Sequence, residues 1–131
     1  MPAQTNNQLA QKLMASPIDL PLADDVIAED HAQGCVFAGR AAVEALLREF
    51  FVAGFPNARC EVQCAVANEE AVAFEITLYG RQDGPFLSIP PTGREVRLPM
   101  TIMGVFDGSL VRRLSLYYDA GALLRQLGLA I

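Results

Sequence analysis

A chain of 131 residues forms one globular domain, with a core that buries roughly 65–70% of the unfolded surface, and leaves no room for two. Hydrophobic residues make up 52% and charged ones 19%, which excludes intrinsic disorder. A net charge of −5 and a pI near 4.7 argue against nucleic acid or anionic membrane as partners.

The start, Met1-Pro-Ala-Gln-Thr-Asn-Asn, lacks the basic and apolar blocks of a signal peptide, so a soluble cytoplasmic protein is expected. Cys35, Cys60 and Cys64 are odd in number. Cys60 and Cys64, four apart in a strand, would have Cα atoms roughly 13 Å apart, beyond disulfide reach. Their spacing and the single histidine, His31, do not make a metal site, and buried, inert thiols in a reducing compartment are expected.

In chain order, Leu9, Leu13 and Met14 predict a helix over Asn6 to Ala15, ended by Ser16-Pro17. Leu22, Val26 and Ile27, with Asp24 and Asp25 early, predict a short second helix over Leu22 to Asp30. Ala32 to Phe37 is ambiguous, with a brief strand as one reading. Val43, Leu46, Leu47, Phe50 and Phe51 form one apolar stripe and predict a helix over Arg40 to Ala53, stopped at Gly54.

Beyond Ala58 the period moves toward two. Strands are predicted over Cys60 to Ala67 and Ala71 to Tyr79, joined at Asn68-Glu69-Glu70. A loop over Gly80 to Gly93 follows, too apolar at Phe86, Leu87 and Ile89 to stand in solvent, so it should fold back over the domain. Arg94 to Phe106 and Leu110 to Tyr118 flank the turn Asp107-Gly108, and a helix over Ala120 to Leu127 ends at Gly128. The elements describe an α+β domain with helices on one face of a mostly antiparallel four-strand meander. The last strand alternates as Arg112, Leu114, Leu116, Tyr118 on one face and Val111, Arg113, Ser115, Tyr117 on the other. Apolar residues on both faces call for a second cover, and a homodimer through the sheet is expected.

No nucleophile elbow, P-loop, dinucleotide fingerprint or metal cluster is present, which leaves acid/base or binding chemistry in a pocket. Asp119, in phase with Tyr117, Ser115 and Arg113, is the foremost candidate, since a carboxylate at the rim of an apolar cavity can shuttle a proton. It also directly precedes a helix, where Asp serves as N-cap, and both readings stay open. His31 could act as acid, base or donor, or be a surface histidine. Glu75, among apolar neighbours, faces a polar pocket, pairs with Arg97 or Arg113, or meets solvent. Tyr79, Tyr117 and Tyr118 could donate to an oxyanion or simply pack, and Met100 and Met103 suit an adaptable apolar wall or the core.

Gly39-Arg40-Ala41-Ala42-Val43, Phe55-Pro56-Asn57, the run from Gly84-Pro85-Phe86 to Pro90-Pro91-Thr92-Gly93-Arg94, Asp107-Gly108, and Tyr118-Asp119 followed by Leu123-Leu124-Arg125-Gln126-Leu127-Gly128 stand in a telling order. Together they resemble the SnoaL-like polyketide cyclases, of the nuclear-transport-factor-like and ketosteroid-isomerase-like fold, over about Val26 to Gly128. The resemblance implies a cone-shaped, curved sheet wrapped around N-terminal helices, an apolar pocket inside, and a dimer through the sheet. It implies that Asp119 is the acid/base of an intramolecular aldol closure. Gln82 stands where relatives often carry a histidine, and the chain has no tryptophan. The expected function is cofactor-free, metal-free proton transfer on an apolar polyketide- or steroid-like carbonyl compound, with His31 or Tyr117 steadying the enolate. Ser115, Arg113, Glu75, Gln82 and Met100 complete the expected binding set. The alternative is a non-catalytic apolar-ligand-binding or dimerisation module of the same fold.

Overall fold

The computed structural model describes residues 19–129. Six strands and two helices follow in the order β1 (Leu22–Asp30), β2 (Cys35–Ala38), α1 (Arg40–Arg48), a π turn (Glu49–Ala53), β3 (Arg59–Ala67), β4 (Ala71–Arg81), β5 (Glu95–Asp107), β6 (Leu110–Tyr118) and α2 (Ala120–Gln126). The strands form one mixed sheet in the order β2-β1-β6-β5-β4-β3, in which β1 runs parallel to β6 and every other pair is antiparallel. This is the curved sheet of the expected α+β fold, with two strands added to the meander. The helix predicted over Asn6 to Ala15 lies outside the described residues.

The principal correction is β1. Leu22 to Asp30 is a strand and not a helix. Five residue steps separate Leu22 from Ile27 on β1, against two from Val111 to Arg113 on β6, so the register shifts across Asp24-Asp25. That irregularity turns Asp24, which regular alternation would bury between Leu22 and Val26, out to solvent, and leaves Leu22, Ala23 and Val26 buried at a spacing that imitates a helix. Beyond it the alternation is regular, with Val26, Ala28 and Asp30 all fully buried.

A second irregularity lies between β5 and β6, where Val105 pairs with Arg113 but Phe106 pairs with Val111. The bulge at Arg112 turns Val111 onto the same buried face as Leu114 and Leu116. The strict alternation expected for this strand therefore breaks at its start.

The core sits on the inner face of the sheet, where Phe74, Ile76, Leu78, Leu98, Met100, Ile102, Leu114 and Leu116 meet Val43, Leu46, Leu47 and Phe50. At about 25 cal/mol per Å2 this apolar burial is the main force holding helix to sheet. The helix predicted over Arg40 to Ala53 begins as expected but opens into a π turn at Glu49, where the Gly54 N–H donates to the Glu49 carbonyl at 3.0 Å. Among the thiols, Cys35 and Cys64 are exposed and only Cys60 is partly buried, so the expectation of buried thiols is corrected for two of the three.

Candidate functional site

Asp30 closes β1 with its side chain on the inner face, and its residue is fully buried. A carboxylate without partners there would be costly, and here all four lone-pair positions are engaged. Oδ1 accepts the backbone N–H groups of Ala32 and Gln33, each at 3.1 Å, which folds the turn into β2. Oδ2 accepts the Tyr118 hydroxyl at 2.7 Å and the Gln33 side-chain amide. The same amide nitrogen lies 2.8 Å from the Tyr118 oxygen, so the three polar groups form a closed triangle.

Tyr118 reaches this position because Leu114, Leu116 and Tyr118 share the inner phase of β6, opposite Gly104, Ile102 and Met100 of β5. Burial, and then its hydrogen bond to Asp30, push the phenol far above its ordinary range, so it stays a proton donor. An apolar wall stands beside it: the Phe50 ring meets Tyr118 edge-on at 5.4 Å and Phe86 at 4.9 Å.

The expected site residues fall elsewhere. Asp119 is exposed and caps α2, accepting the Ala122 N–H at 3.0 Å. His31, Tyr117, Ser115 and Arg113 do come together, but on the outer face of the sheet. The His31 ring stacks on Tyr117 at 4.3 Å with 3° between planes, and its Nε2 lies 3.6 Å from Glu29. Glu29 also pairs with Arg113, and the buried Ser115 is the register partner of Glu29. Glu75 is exposed on the same outer face, lining an open groove of about 470 Å3 with Glu61, Thr77 and Arg97; no ion pair among the described residues includes it.

Gln82 and Met100 are both inside. Met100 is core, at 3% exposure. Gln82 is fully buried, and its amide is saturated within the loop that follows β4. Its nitrogen donates to the Ile89 and Pro90 carbonyls at 3.1 and 3.2 Å, and its oxygen accepts the Thr92 N–H and hydroxyl at 3.1 and 2.7 Å. It organises that loop and offers no free hydrogen-bonding group to a ligand.

Sequence reasoning missed Asp30 and Gln33. The signal lay in the strand phase: with Leu22 to Asp30 read as extended, Val26-x-Ala28-x-Asp30 puts a lone carboxylate on a buried face. Among the described residues no cluster of His, Cys, Asp and Glu has the makings of a metal site. No helix there is long and apolar enough to cross a membrane.

The comparisons with known proteins agree with this architecture. A protein of Jannaschia sp. CCS1 solved as a candidate SnoaL-like polyketide cyclase superposes with a TM-score of 0.86 at 20% identity, over 98% of this chain and 95% of that one. TsrD of Streptomyces laurentii gives 0.80 at 22% identity, over 99% of each chain. A hypothetical protein of Catenulispora acidiphila with a ketosteroid-isomerase-like fold, solved with trimethylamine, gives 0.74 at 18% identity over 94% of each. Curated protein sequences contain no match. The family model for the SnoaL-like polyketide cyclases matches residues 3–127, and the chain belongs to that family.

Proposed function

We propose that this protein binds a small apolar carbonyl compound on the inner side of the sheet and moves a proton on it, with Asp30 as base and Tyr118 as donor to the oxygen. The observation that carries the reading is the 2.7 Å contact of the Tyr118 hydroxyl with the buried Asp30 carboxylate, against the Phe50 ring. A substrate carbonyl that takes the Tyr118 proton as its hydrogen-bond donor releases Oδ2 from that bond. The freed oxygen can then accept the α-proton while the electron pair moves to the carbonyl oxygen, which Tyr118 and Gln33 stabilise as an enolate. Return of the proton to the γ-carbon of a β,γ-unsaturated ketone gives an isomerase; attack of the enolate carbon on a second carbonyl of the same molecule, whose alkoxide takes the proton back from Asp30, gives a cyclase. Membership of the SnoaL-like family and the ketosteroid-isomerase-like neighbour support this class of chemistry.

Asp119, His31 and Tyr117 are set aside as chemical groups in this reading, because Asp119 is engaged as a cap and the other two lie on the outer face. The test is deuterium exchange at the α-carbon of a bicyclic ketone such as 2-tetralone in D2O. Exchange should depend on Asp30 and Tyr118 and be indifferent to Asp119→Asn.

A second reading, a non-catalytic module that holds an apolar ligand, is favoured by the saturation of Asp30: two donors on each oxygen also suit a purely structural carboxylate. Under it, Asp30→Asn lowers stability and leaves ligand affinity unchanged.

In either reading the outer face is the proposed homodimer surface. Met103, Tyr117 and Val66 expose 41%, 47% and 63% of their area there, beside the Glu75 and Arg97 side chains that a two-fold partner could pair.

A further inference from the structure

The segment between β4 and β5 carries backbone strain that its own residues do not select. Phe86 and Ile89 bond each other through N–H to carbonyl contacts of 3.0 and 2.8 Å, a two-residue hairpin with Leu87 and Ser88 at its tip. Leu87 and Ser88 adopt φ of 50° and 64°, the left-handed region where hairpin tips favour Asn and Gly.

Two contacts from outside hold the tip there. The Glu49 carboxylate accepts the Leu87 N–H, and the fully buried Phe86 ring inserts against Phe50 at 4.9 Å and Phe55 at 5.1 Å. Glu49 is the first residue of the π turn, so the irregularity in the helix presents the acceptor. Gly84 lies so close to this turn that a Cβ would stand 1.9 Å from the Ala53 carbonyl oxygen. The stem is tied largely within itself, since Gln82 bonds Ile89, Pro90 and Thr92 and the Gly93 N–H donates to the Gln82 carbonyl at 2.9 Å. It is pinned to the π turn's end, where the Gly84 N–H donates to the Gly54 carbonyl at 3.3 Å. The tip is therefore a preassembled unit, anchored at Gly84 through the bond to Gly54, and beyond that anchor it is seated by one carboxylate and one ring.

We infer that the Phe86–Ile89 tip is a lid over the Phe50 side of the Asp30–Tyr118 site, latched shut by Glu49 on the Leu87 amide. What the lid admits rests on the acid/base reading above; that it opens does not. Opening relieves two left-handed residues and frees Phe50, the ring that touches Tyr118.

The experiment is amide hydrogen exchange by NMR on the full chain, with Ile102 and Leu114 as sheet references. Glu49→Ala should speed exchange at Phe86, Leu87 and Ile89 at least tenfold, leave the references unchanged, and shift the ring signals of Phe50 and Tyr118 but not of Tyr117. Glu49→Gln, which keeps an acceptor, should stay within threefold of wild type. Leu87→Asn with Ser88→Gly, which fits the tip conformation without strain, should slow exchange there at least threefold. Unchanged tip exchange in a folded Glu49→Ala protein, uniform acceleration across the sheet, or no slowing in the Asn-Gly variant would overturn the lid. Loss of ketone exchange chemistry with this pattern intact would overturn only the acid/base reading.

Discussion

The Tyr118 hydroxyl donates to Asp30 Oδ2 at 2.7 Å across two parallel strands, from a position two residues beyond Leu116, the register partner of Asp30. The parallel pairing of β1 with β6 is what brings an N-terminal carboxylate beside a C-terminal phenol. Removing either group takes a hydrogen-bond partner from the other; Asp30 is fully buried and Tyr118 half-buried. Tyr118→Phe should lower stability by about 1–2 kcal/mol, and Asp30→Ala, which orphans several donors, by about 3 kcal/mol, both read from urea denaturation.

The raised phenol has a consequence for pH. Below the ordinary tyrosine value of 10.0 the phenol is protonated in both folded and unfolded chains, and its contribution to stability is fully present. Above it only the unfolded chain ionises, so stability is lost as pH rises from about 10 toward the elevated folded value. Urea midpoints should fall above that pH in wild type, and fall less in Tyr118→Phe. Equal slopes in the two proteins would contradict the burial of this hydroxyl.

Cys60 should differ from the other thiols. Burial pushes it up from 9.0 to about 11, whereas Cys35 and Cys64 are exposed. A thiol reagent at pH 8 should modify two groups quickly and the third slowly, and mass mapping should place the slow one at Cys60.

Asp119 separates cap from catalyst. Asp119→Ala removes the acceptor for the Ala122 N–H and should cost about 1 kcal/mol, while Asp119→Asn, itself a good cap, should cost little. Neither change should alter ketone exchange chemistry by more than a few-fold. A hundredfold loss in Asp119→Asn would restore it as the acid/base.

Much of the fold was legible because turn and cap residues are local signals. Asp107-Gly108 marks the β5–β6 turn, with Gly108 at φ 61°, and Gly128 at φ 80° ends the last helix. The candidate site was legible only in part, since two register shifts disguise it. The irregularity at Asp24-Asp25 breaks the alternation of β1 by turning Asp24 to solvent, so the segment lacks the period of a strand and the phase of Asp30 is hidden. The bulge at Arg112 takes Val111 out of the outer phase assigned to it with Arg113, Ser115 and Tyr117. Gln82 illustrates a different limit: a buried amide and a ligand-binding amide look alike until its four hydrogen bonds are counted.

The most direct test of the account is α-carbon deuterium exchange of 2-tetralone in D2O, followed by NMR for wild type, Asp30→Asn, Tyr118→Phe and Asp119→Asn. Catalysed exchange in wild type and in Asp119→Asn, reduced at least a hundredfold in Asp30→Asn and at least tenfold in Tyr118→Phe, is the predicted result. Exchange that survives in folded Asp30→Asn, or that is absent from wild type, would contradict it.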